Sequence, residues 1–439
     1  MTRLYVHTLG CKVNQYEGEG IADGAGLAGV VAASGLSDAD VIVLNTCAVT
    51  RTADLEAGQL ARRYRRANAD AVIVLTGCYA QISPDEAARL PVDYVIGHRG
   101  KEALAGEIAD MAARGRRARA EVRVDPVYRD RRLPLLSPGA GPAPFRTRRL
   151  VKVQDGCDVF CAFCIVPHAR GLPRSASPGD VLAEVRGHAA GGVREIVLTG
   201  PHIGSWGRDL SPALHLSDLL SRVRREGRLS RLRLSSMEPS EFDEGVVEEI
   251  TRHPEVFCDH VHIPLQSGSD AVLRRMRRPY DASQFLTLVD QFAKALPSVG
   301  IGTDVIAGFP GETESQFEET LQLLEASPVS YFHVFPFSPR PGTPAAKYPD
   351  PVPPGVIRAR AARLRALGAR KTRAFYRRFE GETLEVLLET PNEGGSFRGY
   401  SRNYIPLVVS GDGLCANRIL QVKIAAADAQ GRVQGRAIA

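Results

Sequence analysis

Val151–Gly171 reads VKVQDGCDVFCAFCIVPHARG, a short apolar strand that runs straight into three cysteines. Cys157, Cys161 and Cys164 are spaced x3 then x2. Thiolates this close can grip one soft metal centre. An iron–sulfur cube takes four ligands, so three protein thiolates leave one iron open to an exogenous ligand. A zinc knuckle and a small redox loop are the competing readings. Zinc wants a fourth Cys or His at matching spacing. The nearby candidate, His168, sits behind Pro167.

Strand–helix alternation extends on both sides of this loop. Upstream, short apolar strands fall at Leu4–His7, Val41–Leu44, Val72–Leu75 and Tyr94–Ile96, separated by alanine-rich helical stretches. That is the pattern of an α/β doubly wound parallel sheet. A cysteine closely follows three of the strands: Cys11 in TLGCKVNQYE, Cys47 in LNTCAVT and Cys78 in LTGCYAQ. Separations of one βα unit place all three on loops at the carboxyl edge of the sheet, where open α/β sheets bind ligands. The placement predicts a second three-thiolate site, for a second cluster. One such cysteine would read as a small buried hydrophobe; three at one topological position argue for a ligand set. Gly10, Gly77 and Gly97 end strands and leave room for a bulky group. Asn14, Gln15, Asn45 and Thr46 are placed to donate hydrogen bonds to sulfur, or to cap turns.

A helix over Lys101–Met111 closes the first unit, residues 1–111. Residues 112–145 turn Arg- and Pro-rich, with SPGAGPAP at 137–144. They read as a linker whose arginines face RNA phosphate or solvent. Residues 146–344 resume the alternation, with strands near Leu150–Val153, Glu195–Leu198, Arg231–Ser235, His260–Ile263, Gly302–Val305 and Tyr331–Phe335. Polar motifs follow the strand ends, the rim where barrel sites lie: Thr199-Gly200-Pro201-His202, Ser235-Ser236-Met237-Glu238, His262 through Gln266 to Arg278, Asp304 through Gly311, and Ser338-Pro339-Arg340. Glu238, Gln266, Asp304 and Arg340 are the polar residues expected to hold a cofactor or orient substrate. His202 suits a general acid or base, or a structural hydrogen bond. Cys258 and Cys415 have no partners in either triad and read as non-ligating. Residues 345–379 turn helical, and from Thr383 the pattern alternates through LEVLLET, YIPLVVS and LQVKIAA, a small antiparallel barrel over 380–439.

At 439 residues the chain exceeds one ordinary core. A hydrophobic content of 44% with 24% charged residues fits a globular protein in water. No signal peptide or membrane-length apolar run is seen, so no membrane partner is expected. Eight cysteines without a secretory signal suit metal binding in a reducing cytoplasm. The net charge of +6 is unevenly spread. Residues 111–149 hold 11 Arg against 3 acids, and residues 356–379 hold 9 Lys or Arg and no acid. The remainder is net acidic, which points to a polyanion partner, RNA first.

Cys157-x3-Cys161-x2-Cys164, with Phe163 before the last cysteine, resembles the radical S-adenosylmethionine (SAM) signature. In that superfamily the open iron chelates the methionine amino and carboxylate groups. The cluster's electron then splits the sulfonium into a 5′-deoxyadenosyl radical. The resemblance implies a partial TIM-like (βα)6 barrel, with Phe163, Thr199 and Gly200 at SAM. Cys11-Lys-Val-Asn-Gln-Tyr-Glu, Asn45-Thr-Cys47 and Gly77-Cys78 extend it to the methylthiotransferases, over nearly the whole chain, with a carboxyl-terminal TRAM RNA-binding barrel. That family inserts sulfur into an unactivated C–H bond and methylates it. Membership would imply two [4Fe-4S] clusters: a radical-generating one on Cys157, Cys161 and Cys164, and an auxiliary, sulfur-carrying one on Cys11, Cys47 and Cys78. One SAM would methylate the sulfur and a second would yield the radical.

The family has three branches, acting on tRNA with a prenylated adenosine, on tRNA with N6-threonylcarbamoyladenosine, and on a ribosomal-protein aspartate. Cys164-Ile-Val-Pro-His168-Ala-Arg170-Gly and Gly200-Pro-His202-Ile-Gly204-Ser-Trp206-Gly207-Arg208 are most similar to the threonylcarbamoyladenosine branch, with Pro201 a departure. Arg170 or Arg208 is the expected receptor of the threonyl carboxylate, with His202 nearby. Implied partners are tRNA, a reductant such as flavodoxin or ferredoxin, and a sulfur donor of unstated identity. Two other classes fit fewer of these features: a radical SAM enzyme whose second cluster only transfers electrons, and an RNA-binding protein with structural clusters.

Overall fold

A computed structural model of the protein describes residues 1–129, 133, 147–427 and 432–438. The chain opens with β1 (Arg3–Thr8), β2 (Val31–Ala32), β3 (Val41–Thr46), β4 (Val72–Gly77), β5 (Tyr94–Ile96) and β6 (Glu121–Arg123). They form one parallel sheet in the order β2-β1-β3-β4-β5-β6. β3 and β4 are buried at every position, because helices cover both faces, and so they read as unbroken apolar runs. β6 falls within the stretch expected to be linker. Its three residues are mostly charged, as suits an edge strand, and Arg123 is held by Glu107 at 2.6 Å. Residues 130–132 and 134–145 of that stretch lie outside the described residues.

The central unit begins with β7 (Arg148–Lys152). A two-residue ribbon, β8 (Gln154–Asp155) with β9 (Arg174–Ser175), brackets the cysteine loop. Then come β10 (Glu195–Thr199), β11 (Arg231–Leu234), β12 (His260–His262), β13 (Gly300–Ala307) and β14 (Tyr331–Pro336). β7-β10-β11 and β12-β13-β14 are parallel sheets joined through the bridge Leu232–Phe257, which completes a six-strand partial barrel in chain order. Side chains alternate across it. Val151, Ile196 and Leu198 pack on the outer helices, whereas Leu150 and Val197 join Tyr16 and Ile21 in the amino-terminal core. The inner face of β7 and β10 is therefore covered by the first domain, through helix Lys12–Leu27.

Helix Pro354–Arg377 leads to the last unit. An acid-free basic helix is expected to face a polyanion, but much of its charge is answered from helix Glu314–Ala326. Arg360 pairs with Glu312 and Glu314, Arg363 with Glu314 and Glu318, and Arg370 with Glu325. Arg358, Arg365, Arg373 and Arg377 are exposed, with no ion pair among the described residues.

The carboxyl-terminal strands are β15 (Thr383–Pro391), β16 (Phe397–Ser401), β17 (Pro406–Ser410), β18 (Ile419–Ala427) and β19 (Val433–Ala437). They close a barrel ordered β15-β16-β17-β19-β18. It is antiparallel at every seam except β17–β19, which is parallel. Five strands cannot alternate direction all the way round a closed ring, so one seam must be parallel. Buried Glu195 anchors this barrel from below. It pairs with Arg233 at 2.8 Å, while Arg231 and Arg233 donate to the carbonyls of Glu385 and Arg402. Among the described residues no helix is long and apolar enough to cross a membrane.

Candidate functional site

All three units meet around one cavity of about 940 Å³. The first sheet contributes Gly10, Cys11, Lys12, Cys47 and Cys78; the central barrel, Arg148, Arg170, Thr199, Gly200, Ser235 and Ser236; the last barrel, Glu389, Thr390 and Tyr404.

Cys11 precedes helix Lys12–Leu27, Cys47 follows β3 directly, and Cys78 begins the short helix after β4. Because the strands are parallel, all three lie at one edge. Two glycines let the loops close up. A Cβ at Gly10 (φ +93) would stand 2.6 Å from the Cys47 Cβ, and one at Gly77 (φ +97) 2.3 Å from the Thr46 carbonyl oxygen. Burial pushes the Cys47 thiol up to about 12, and the neighbouring Cys78 adds to the rise. The polar residues expected to reach sulfur mainly pin the loops, although Asn14 Oδ1 also accepts from Cys78 Sγ at 4.0 Å. Asn14 Nδ2 donates to the Leu9 and Thr46 carbonyls, Asn45 Nδ2 to the Asn14 carbonyl, and Thr46 Oγ1 to Thr76.

The second triad lies on the loop between β8 and β9. Cys157 and Cys161 are buried. Burial raises the Cys161 thiol to about 11 against the opposing pull of Arg278. Arg278 Nη1 donates to Cys161 Sγ at 3.0 Å and pairs with Glu238 at 2.8 Å. The Met-Arg-Arg context of Arg278 carries no sequence signal for a sulfur contact. His202 faces the same loop, with Glu241 at 2.6 Å and Asp158 at 3.6 Å. Burial lowers its affinity for a proton, but the bonds to Cys157 and Glu241 outweigh that and hold it up at about 10. It therefore sits beside the cysteine loop, lines neither cavity, and makes the hydrogen bonds of the structural alternative. Phe163 and Cys164 line a smaller cavity of about 200 Å³ with Gln266 and Asp304. Val49 and Val166 line both cavities, so the two adjoin. Gln266 holds a positive φ of 67°, backbone strain of the kind stored at functional sites. Asp304 is half-buried, and desolvation favours its neutral form, yet His262 at 3.1 Å holds it below the usual carboxylate range.

Two expected residues are engaged by protein carboxylates, and a third lies outside both cavities. Arg170, 2% exposed, ends the helix after Cys164. It gives Nη1 to Glu17 at 2.9 Å and to Asp155 at 3.0 Å, and Nη2 to Asn14 at 2.6 Å. Though it borders the cavity, protein carboxylates already satisfy it. Arg340 is buried against Asp54 at 2.6 Å and lines neither cavity, because a buried guanidinium needs a carboxylate. Arg208 is exposed and lies away from both.

The donor sets suit an iron–sulfur cluster and a polar ligand. Each triad combines two buried thiols and a more accessible one, Cys11 or Cys164, with a nearby cation, Arg278 on one side and Arg170 on the other. Such cations favour the thiolates that a cluster requires. Glu238 Oε2 and Ser235 Oγ are buried without a hydrogen-bond partner among the described residues, as expected of groups that bind a polar ligand. No group of three or more His, Cys, Asp or Glu among the described residues converges as a single bound ion would make it; a cluster takes its thiolates one to an iron, spread apart.

The chain matches the family described as Radical SAM superfamily over residues 151–324, and uncharacterized protein family UPF0004 over residues 3–97. The threonylcarbamoyladenosine tRNA methylthiotransferase MtaB of Bacillus subtilis is 40% identical, over 97% of this chain and 94% of its own length. Its namesake in Thermotoga maritima is 36% identical over 92% and 91%. The tRNA-2-methylthio-N(6)-dimethylallyladenosine synthase of B. subtilis is 33% identical over 96% and 83%. The solved radical S-adenosylmethionine methyltransferase TsrM of Kitasatospora setae shares the fold, with a TM-score of 0.54 and 16% identity over 79% of this chain and 77% of that one.

Proposed function

The chain belongs to the radical SAM tRNA methylthiotransferases, and on that premise we propose that it converts N6-threonylcarbamoyladenosine in tRNA into its 2-methylthio derivative. A radical SAM enzyme takes SAM and a [4Fe-4S] cluster, and here Cys157, Cys161 and Cys164 would hold that cluster. Cys11, Cys47 and Cys78 would hold the second. The observation that carries this reading is the single cavity lined by the Cys11 triad, the barrel rim and the last barrel together. When bound, the clusters and SAM supply the radical that removes hydrogen from adenine C2 and the sulfur and methyl group that replace it.

The protein's own contribution is placement. Phe163, Gln266 and Asp304 line the space beside Cys164 where SAM would lie, with Glu238 braced by Arg278 behind it. Thr199 and Gly200, expected at SAM, face the larger cavity that adjoins this space, where the adenosine would enter. Arg170 ties the two cysteine loops together: its partners Asn14 and Asp155 lie three and two residues from Cys11 and Cys157. Holding both centres rigidly beside one carbon makes the reaction effectively intramolecular. The five-strand barrel is read as a TRAM domain that binds the tRNA. A flavodoxin or ferredoxin in the cytoplasm would supply electrons, and a sulfur donor would reload the auxiliary cluster.

Nucleoside mass spectrometry of tRNA from a strain lacking the activity tests this, with and without the gene for this chain. Appearance of 2-methylthio-N6-threonylcarbamoyladenosine is the expected result. Restoration of the methylthio group on prenylated adenosine alone would overturn the substrate and leave the chemistry. No change in any nucleoside would refute tRNA methylthiolation altogether.

A further inference from the structure

Of the three cationic side chains on the large cavity, two are neutralised by the protein. Arg170 is held by Glu17 and Asp155. Arg148 is held by Glu389 at 2.6 Å, with its guanidinium stacked over Tyr400 at 4.5 Å. The third, Lys12, has no ion pair or side-chain hydrogen bond among the described residues. It is half-buried, so its charge is only partly served by solvent.

Its position is also wrong for its own helix. Lys12 is the first residue of Lys12–Leu27, whose first turn carries no acid and whose N-cap, Cys11, makes no side-chain cap. A cation there opposes the macrodipole and is locally unfavourable. Local rules broken without a compensating contact mark functional positions. The nearby carboxylates are already engaged, Asp304 with His262 and Glu389 with Arg148. Beyond the thiolates of the cysteine triad, the described residues on this wall leave Lys12 no free anion.

We propose that Lys12 receives the carboxylate of the substrate's N6-threonylcarbamoyl group and thereby sets the preference for an anionic over an apolar N6 substituent. This rests on the substrate reading above, and it moves the carboxylate receptor from Arg170 and Arg208, which the protein engages or leaves outside, to a residue on the cavity wall. Lys12 acts as a specificity residue; it takes no part in bond making.

The test is binding of anticodon stem–loops to anaerobically reconstituted holoenzyme, with variants compared at matched iron content. The loops carry threonylcarbamoyladenosine, isopentenyladenosine or plain adenosine. Wild type is expected to prefer the first over the last by about tenfold, the range of one charge-assisted hydrogen bond. Lys12→Gln should abolish that preference and leave the plain loop bound as before, and Lys12→Arg should keep it. Retention of the preference in Lys12→Gln, an equal loss for all three loops, or its loss in Lys12→Arg would overturn the proposal. So would a wild type that methylthiolates the threonylcarbamoyl loop without preferring it in binding. If wild type does not act on that loop at all, the substrate reading has failed rather than Lys12.

Discussion

Arg170 shows how one side chain can hold two cysteine loops. Its network with Glu17, Asp155, Lys101 and Lys152 is buried, and Glu17 stays well below the usual carboxylate range because these cations overcome the burial that opposes it. Arg170→Met would leave Glu17 to Lys101 and Lys152 and Asp155 to Lys152 and Arg174, and urea unfolding should show a loss of about 2–3 kcal/mol. Gly77→Ala should act on metal content. With its Cβ against Thr46, the loops of Cys47 and Cys78 must part, and reconstituted protein should retain about four irons per chain in place of about eight. Full iron in Gly77→Ala would disprove that account of the glycine. The cysteines are legible in the sequence because their chemistry lies in residue type and spacing. The arginines are not: Arg170 meets Glu17 across 153 positions and Arg340 meets Asp54 across 286, so no local pattern marks either pair.

At the scale of elements, the strands are legible because buried parallel strands are dense in Val, Ile and Leu. Two features are not: β6, three residues mostly charged, and the parallel seam of the last barrel, which topology imposes and no local residue announces. The basic helix is half legible, since its charge is visible and its acidic partners lie on another helix. Replacing Arg365 and Arg373 with Gln should weaken tRNA binding uniformly across sequences and lower the salt dependence by about one unit for each phosphate no longer neutralised. Arg363→Gln, whose side chain already serves Glu314 and Glu318, should leave that slope unchanged; filter binding over a salt series decides. The Glu195 junction gives a pH dependence. Burial would raise its pKa, but Arg233 and Arg148 hold it at about 2, below the ordinary 4.5. Its contribution is therefore present above pH 4.5 and lost as pH falls towards about 2, an effect of about 3 kcal/mol. Glu195→Gln should unfold more easily at pH 7 and show a flatter acid limb in denaturant titrations between pH 5 and 3.

The whole molecule is an arrangement of three units about one chamber. The first sheet offers three thiols at one edge, the barrel offers three more on its first loop and a polar rim, and the last barrel closes the remaining side. Each unit is visible in the sequence; that they share a cavity depends on contacts between residues far apart in the chain, such as helix Lys12–Leu27 on β7. The central claim is a division of labour, with the Cys157 triad generating the radical and the Cys11 triad providing the sulfur. The most direct test is an anaerobic turnover with tRNA carrying threonylcarbamoyladenosine, comparing wild type with the Cys11→Ala, Cys47→Ala, Cys78→Ala triple variant. Wild type should yield 5′-deoxyadenosine and the 2-methylthio nucleoside, and the variant 5′-deoxyadenosine alone. A methylthio nucleoside from the triple variant would contradict the account.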